Sequence, residues 1–375
     1  MRIAVNTRFL LKGQLEGIGW YTYEIVKRMV EAHPEDTFYF FFDRPYDPSF
    51  VFGENVVPMV LLPPARHPVL WWLWFEVALP RALGKLKPDV FFSPDTYLSL
   101  RTKAPTVLTV HDIAYAHYPE QIPKLARQYY AYFTPKYVQK AKRVITVSNF
   151  VREDVLQHIP VDPDKVQAIH NACRPVFKPL STGEIQKVRD QYAEGEPYFV
   201  YVGAMHPRKN VHRLIQAFDA FKQQSTAPHK LVLAGRFAWQ SGPIRSAYEA
   251  AVYKDDIVLT GYLEQTQLPQ VVGAASALVY LSVFEGFGLP LVEAMECDVP
   301  VLTSNVTSLP EVAGEAALLV DPHKVEEISS AMLQLAEDAA LRDRLILAGR
   351  RRRQDFSWDR AAEAVYEVLR EVAAV

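Results

Sequence analysis

Short apolar runs alternate along the whole chain with longer stretches whose apolar positions recur every three or four residues. That alternation predicts parallel sheets covered by helices, the α/β class. In the first half the expected strands are Arg2 to Asn6, Phe38 to Phe42, Val56 to Leu62, Asp89 to Phe92, Thr106 to Val110 and Arg143 to Val147, with a further one ending near His170. In the second half they are Tyr198 to Gly203, Lys230 to Gly235, Ile257 to Thr260, Ala277 to Ser282, Val299 to Thr303 and Ala317 to Val320. Helical spacing marks Trp20 to Glu31, Lys124 to Lys140, Val211 to Lys222 and Leu289 to Glu296. Between Asn171 and Thr182 the periodicity drops and two prolines intervene, which predicts an interdomain linker ahead of a helix beginning near Gly183. After Arg353, the positions Trp358, Ala362, Val365, Leu369 and Val372 share one helical face and predict a terminal packing helix. No repeat of solenoid length and no low-complexity tract occurs, so two non-identical lobes are the simplest organisation.

Length agrees with that division. At 375 residues the chain is too long for one ordinary core and fits two domains of about 170 to 190 residues each. The 41 basic and 43 acidic residues balance, so no bulk positive field gathers nucleic-acid phosphates, and no nucleic-acid partner is expected. Cys173 and Cys297 have neither zinc-ligand spacing nor a disulfide framework, which suits a reducing compartment and predicts a cytoplasmic protein. The start, MRIAVNTRFL, runs directly into a strand pattern without the features of a signal peptide. Val69 to Leu83, VLWWLWFEVALPRAL, is the most apolar long stretch. Glu76 and Pro80 interrupt it, and it reads as a core or cleft helix, with contact at a membrane interface as the alternative.

Four segments carry candidate chemistry. The first runs from a strand through Gly203-Ala204-Met205-His206-Pro207-Arg208-Lys209-Asn210 into a helix. Amides at a helix start favour an anion, and Arg208 and Lys209 add two charges, a combination that suits a diphosphate; a solvated turn with two surface cations is the alternative. The second is Ser282-Val283-Phe284-Glu285-Gly286-Phe287-Gly288-Leu289-Pro290-Leu291-Val292-Glu293. Gly286 and Gly288 free the backbone to approach a ligand, Pro290 suits a first helical turn, and Glu285 and Glu293 can accept hydrogen bonds from hydroxyls at two ends of an extended ligand. The alternative makes Glu285 a cap and Glu293 a surface residue. The third is His111-Asp112 at the carboxyl end of a strand, where open parallel sheets bind ligands. His111 there can donate to a sugar hydroxyl or sit near a reacting centre, or it is a buried histidine held by Asp112. The fourth is the glycine loop at Gly17 and Gly19. Thr22 stands where a dinucleotide fingerprint requires glycine, so oxidoreductase chemistry loses its main support.

Together and in this order, GIGWYT, the His-Asp pair, VSNF, YVGAMHPRKN, EGFGLPLVEAM and SNVTSLPEVAGEAALLVDP resemble glycosyltransferase family 4, retaining enzymes of the GT-B architecture. The nearest subgroup in pattern is the mannosyltransferases of bacterial polysaccharide assembly. The resemblance implies two Rossmann-like parallel-sheet domains facing across a cleft. Residues 1–175 would be the acceptor-side domain, with helix 358–375 packing back on it, and 176–357 the nucleotide-sugar domain. Arg208 and Lys209 would bind the donor diphosphate, Glu293 the ribose, and Glu285 with the Gly286, Phe287, Gly288 and Leu289 amides the transferred sugar. Gly203 would lie at the donor site, His111 beside the sugar, and Gly17 and Gly19 near its phosphate or the acceptor. The implied reaction is hexose transfer with retention, from GDP-mannose to a saccharide or lipid-linked saccharide at the inner membrane face. The two cations make a metal or other cofactor unnecessary.

An epimerase or hydrolase on the same architecture, or a non-catalytic sugar-nucleotide-binding protein, are the alternatives. Asp162-Pro163-Asp164 is expected to be a turn despite its D-x-D form. Two departures from relatives stand out: Asp298 replaces a frequent glycine, and Trp20 a frequent arginine. The Arg350 to Arg353 run is expected on a solvated helix face, anionic lipid being the alternative.

Overall fold

The structure, a computed structural model, describes residues 1–13, 15–238 and 241–374. The chain folds into two compact units. One comprises Met1–Asn171 and the segment that begins at Ser357; the other is Ala172–Phe356.

The first unit is built on seven strands: β1 (Arg2–Asn6), β2 (Thr37–Phe42), β3 (Val56–Val60), β4 (Val90–Ser93), β5 (Thr106–Val110), β6 (Arg143–Thr146) and β7 (Val166–Ala168). They pair in parallel in the order β3-β2-β1-β4-β5-β6-β7. Strands such as β4 and β5 are buried throughout, as strands covered on both faces must be. Its helices are α1 (Gly17–Ala32), α2 (Pro68–Leu73), α3 (Leu79–Leu86), α4 (Ala114–His117), α5 (Lys124–Lys140) and α6 (Asn149–His158). Ser148 caps α6 by accepting from the Val151 amide at 3.1 Å.

In the second unit β8 (Tyr198–Val202), β9 (Lys230–Ala234), β10 (Ile257–Gly261), β11 (Ala277–Tyr280), β12 (Val301–Ser304) and β13 (Ala317–Val320) pair in parallel in the order β10-β9-β8-β11-β12-β13. β12 starts only after Pro300, which has no amide hydrogen to give a ladder. The helices are α7 (Thr182–Ala193), α8 (Val211–Gln224), α9 (Gly242–Ala250), α10 (Leu268–Gly273), α11 (Leu289–Glu296), α12 (Leu309–Ala313), α13 (Val325–Glu337) and α14 (Ala339–Arg352). A reciprocal capping box, Ser181 with Glu184, starts α7. The last helix, α15 (Trp358–Ala373), belongs to the first unit, where it packs on α1 with Trp358, Ala362, Val365, Leu369 and Val372 buried. Val375, the last residue expected in that helix, lies outside the described residues.

In each sheet the winding reverses between two neighbouring strands, β1 and β4 in one and β8 and β11 in the other. Such a reversal splays the following loops in opposite directions and opens a crevice at the carboxyl ends of the two strands.

Three expectations change. Gly17 and Gly19 do not form a loop ahead of a helix; they are the first turn of α1. A Cβ on Gly19 would come within 2.9 Å of the Phe9 carbonyl oxygen, so glycine there lets the helix start against the preceding loop. The Val69 to Leu83 stretch is not one regular helix, because a π-helical turn at Trp74–Ala78 separates α2 from α3. That turn puts Trp74 in the core with Nε1 donating to the Leu61 carbonyl at 2.9 Å, while Trp72 remains 38% exposed. Arg350 and Arg353 are not simply solvated: both pair with Asp298, whose backbone adopts φ 57°. The turn at Asp162 is as expected, its carboxylate accepting from the Asp164 amide. Among the described residues, no helix is long and apolar enough to cross a membrane.

Candidate functional site

The loops that follow β8 and β11, the strands at the reversal, carry Arg208, Lys209 and Glu285. β8 ends at Val202, and Gly203 (φ 135°) turns the chain into the 3-10 turn Pro207–Lys209. His206 caps that turn, its Nδ1 accepting from the Arg208 amide at 3.3 Å. Asn210 follows in the left-handed region (φ 59°), which asparagine tolerates, and its side chain donates to the Pro322 carbonyl at 2.6 Å. From the other strand, the Val283 amide donates to the Arg208 carbonyl at 2.9 Å. The two loops are thereby tied together.

Lys209 and Glu285 meet at this tie. The Lys209 ammonium donates both to the Glu285 carboxylate and, at 2.9 Å, to the Tyr280 hydroxyl. The Tyr280 and Ser282 hydroxyls donate to Glu285 at 2.8 and 2.5 Å. All three donors converge on Oε1, and among the described residues Oε2 receives none. Burial alone would raise the Glu285 carboxyl, but the Lys209 and Arg208 charges and the hydroxyl donors outweigh it and hold it below its ordinary value. Glu285 is therefore an ionised carboxylate at neutral pH with one oxygen committed and the other able to accept from a hydroxyl.

The EGFG loop is braced from below. Thr307, in the left-handed region at φ 59°, accepts from the Glu285 amide at 3.3 Å, and the Ser308 hydroxyl lies 3.0 Å from the carbonyls of both Glu285 and Phe287. A β-branched residue at positive φ is strained, and these bonds hold it there. Gly288 (φ 99°) precedes α11, and a Cβ on it would come 2.7 Å from Leu309. The Phe287 ring is buried edge-on to Phe356. Leu289 and Pro290 open α11, which places Glu293 in its second turn. Glu293 is buried, with Arg174 Nη2 3.5 Å from Oε1. Burial raises its carboxyl and Arg174 offsets this only in part. The structure thus joins Arg208, Lys209 and Glu285 in one tied cluster, with Glu293 on the helix that follows.

The first unit carries a matching arrangement at its own reversal. Arg8, just past β1, pairs with Asp95, just past β4, at 2.8 Å, both buried. Asn6 donates to Ser93 at 3.1 Å across the same strands. The Arg8 guanidinium stacks over Tyr97 at 4.0 Å, and among the described residues its Nη2 has no hydrogen-bond partner. His111, after β5, is partly enclosed beside this cluster: its Nε2 lies 2.7 Å from the Pro94 carbonyl and its ring meets Tyr21 edge-on. A carbonyl only accepts, so Nε2 carries the proton. Enclosure lowers the ring's pKa and keeps it neutral, leaving Nδ1 as an acceptor. Asp112 does not orient it through Nε2; its carboxylate accepts from the Ala114 amide. Among the described residues, a Cβ on Gly17 would meet nothing within 4 Å.

Reasoning from sequence missed Arg8, Asp95, Arg174, Tyr280, Thr307 and Ser308. Arg8 and Asp95 each follow one of the two strands at which the winding reverses, a position that only the strand order reveals. Gly235 was also missed. A Cβ there would fall 1.9 Å from the Gly203 carbonyl oxygen, so the loops after β8 and β9 approach this closely only through glycine.

Comparison with known proteins bears on the family and the fold. A family model described as "Glycosyltransferase Family 4" matches residues 15–175, and one described as "Glycosyl transferases group 1" matches 184–352. The O-antigen chain mannosyltransferase B of Escherichia coli is 32% identical over 360 residues, covering 93% of this chain and 94% of that protein. Sucrose-phosphate synthase from Thermosynechococcus elongatus superposes with a TM-score of 0.81 at 20% identity, over 100% of this chain and 99% of that one. The Anabaena protein HepE, solved in complex with UDP and glucose, gives 0.77 at 17% identity, over 99% and 100%. With a parallel-sheet unit behind each family match and a relative of this identity along nearly its full length, the chain belongs to glycosyltransferase family 4 and has the GT-B fold.

Proposed function

We propose that this glycosyltransferase moves mannose from GDP-mannose to a saccharide or lipid-linked saccharide in polysaccharide assembly, with retention of configuration and without a metal ion. The observation that carries the reading is Glu285. It is a buried carboxylate whose Oε1 is saturated by Lys209, Tyr280 and Ser282 while Oε2 can take a sugar hydroxyl. Arg208 and Lys209 stand at the same crevice and would hold the diphosphate, Glu293 the ribose hydroxyls, and the main chain from Gly286 to Leu289 the sugar. The name of the Escherichia coli relative supports mannose as the sugar.

On this reading the bond from sugar C1 to the phosphate oxygen breaks and its electron pair leaves with the nucleotide. The charge that develops there is stabilised by Arg208 and Lys209. The acceptor oxygen bonds C1 on the face the phosphate has left, and its proton passes to the departing phosphate. His111, neutral, would accept from a hydroxyl of the sugar through Nδ1. Action on the cytoplasmic side suits a lipid-linked acceptor, for which Val69 (55% exposed) and Trp72 at α2 offer apolar contact at the inner membrane face.

A panel of GDP-, UDP-, ADP- and dTDP-sugars in a thermal-shift assay, followed by product analysis, tests the reading. GDP-mannose should raise the melting temperature most, because a ligand that binds only the native state stabilises it by mass action. If no nucleotide sugar shifts it at about millimolar concentration, the donor site is misassigned. A product of inverted configuration would remove the retaining mechanism.

A further inference from the structure

We propose that the first unit carries a binding site for a borderline divalent metal ion of the zinc class, formed by His117, Asp154 and His158. Among the described residues this is the group whose ligand atoms all lie within 4.8 Å of one another. His117 is the last residue of α4, while Asp154 and His158 lie one turn apart on α6, so two elements contribute. Nε2 of His117 is 2.8 Å from Asp154 Oδ1 and 3.0 Å from Oδ2; Nδ1 of His158 is 3.1 Å from Oδ1. The two rings stand edge-to-face with centroids 4.9 Å apart.

These separations lie within about 0.5 Å of what a metal demands. With zinc–nitrogen and zinc–oxygen bonds of about 2.0 to 2.2 Å, the ligand atoms of a tetrahedral ion lie roughly 3.3 Å from each other. Two imidazoles with one carboxylate suit zinc and its transition-metal neighbours, whereas magnesium and calcium prefer all-oxygen shells. Asp154 is buried and anchored in its helix, while the His117 and His158 side chains are 29% and 42% exposed. An ion thus has an entry path and remaining coordination positions for water. Nδ1 of His158 also bonds the Asp154 main-chain oxygen at 2.8 Å, a contact it would exchange for coordination. Binding would staple α4 to α6, and α4 begins three residues after His111. None of the three ligands is among the residues assigned to the donor, so the site is independent of the diphosphate.

The test uses the full-length protein stripped with a chelator. Calorimetric titration should show one equivalent of Zn²⁺ bound at roughly micromolar affinity or tighter, Co²⁺ should give the visible bands of a low-coordinate nitrogen-oxygen site, and Mg²⁺ should not compete. His117→Ala and His158→Ala alter exposed side chains and should fold as the parent does by circular dichroism. Each should weaken Zn²⁺ by at least about 10-fold and abolish the cobalt bands. Failure to bind Zn²⁺ at about millimolar concentration overturns the proposal. Unchanged affinity in both variants does the same, because the ion would then sit elsewhere.

Discussion

At the scale of single residues, the Lys209–Glu285 pair shows how a site is assembled from groups that would be costly apart. A buried carboxylate is tolerated because a cation and two hydroxyls face it, and removing the cation leaves the charge uncompensated. Because the folded state holds Glu285 below its ordinary pKa, its stabilisation is present above the unfolded value and is lost as pH falls through the folded one. Lys209→Ala should therefore destabilise the protein at pH 7 by about 2 to 4 kcal/mol and abolish donor-induced stabilisation. The stability difference should shrink as the pH drops below the usual carboxylate range. Thermal melts across pH check this, and a difference that stays constant with pH would mean the two charges do not interact. Asp298 poses the opposite problem, since a non-glycine residue sits at φ 57° and bonds Arg350 bidentately at 3.0 and 2.7 Å. Asp298→Gly relieves the backbone while losing the ion pairs, whereas Asp298→Ala loses the pairs and keeps the strain. Alanine should thus be less stable than glycine at this position by about 1 kcal/mol, read from denaturant midpoints. The reverse order would show that the left-handed backbone is not maintained.

At the scale of elements, α11 couples the two carboxylates seen in the sequence, but to different partners. Glu285 faces a lysine across a strand reversal, while Glu293 on α11 faces Arg174 in the chain just after the crossover between units. Burial raises Glu293 and the Arg174 charge restrains it. If the ionised form takes the ribose hydroxyls, donor affinity must fall on acidification at a pH above the ordinary carboxylate value. In Arg174→Gln that acid limb should move to still higher pH, with affinity near neutrality reduced by about 10-fold, as isothermal titration across pH would show. A limb that does not move separates Arg174 from Glu293. The elements themselves were legible where buried strands give unbroken apolar runs, as in β8 and β9. The π turn at Trp74–Ala78 was not, since its residues carry the same apolar pattern as an ordinary helix. Arg8 with Asp95, and Ser308 under the EGFG loop, were hidden for another reason. Their meaning arises from strand order and long-range pairing, and local spacing carries neither. Gly235 required a three-dimensional fact as well, the nearness of the Gly203 carbonyl.

At the scale of the whole molecule, the chain leaves its second unit at Phe356 to complete the first with α15. That helix buries Trp358, Val365, Tyr366, Val368, Leu369 and Val372, and the Tyr366 hydroxyl donates to Asp36 at 2.7 Å while its ring stacks on His33. Large apolar side chains contribute roughly 1.5 to 3 kcal/mol each when buried, so six of them together rival the 5 to 15 kcal/mol by which a domain is stable at all. A chain ending at Phe356 should therefore contain an intact second unit and a first unit unable to fold. Limited proteolysis should then leave a resistant fragment beginning near Ala172, and calorimetry should lose one unfolding transition. Tyr366→Phe offers the graded version, removing only the donor to Asp36 at a cost of about 1 to 2 kcal/mol confined to the first unit's transition. If truncation instead left both transitions in place, α15 would be an appendage, and the burial of its apolar face would contribute nothing that the rest of the first unit cannot supply.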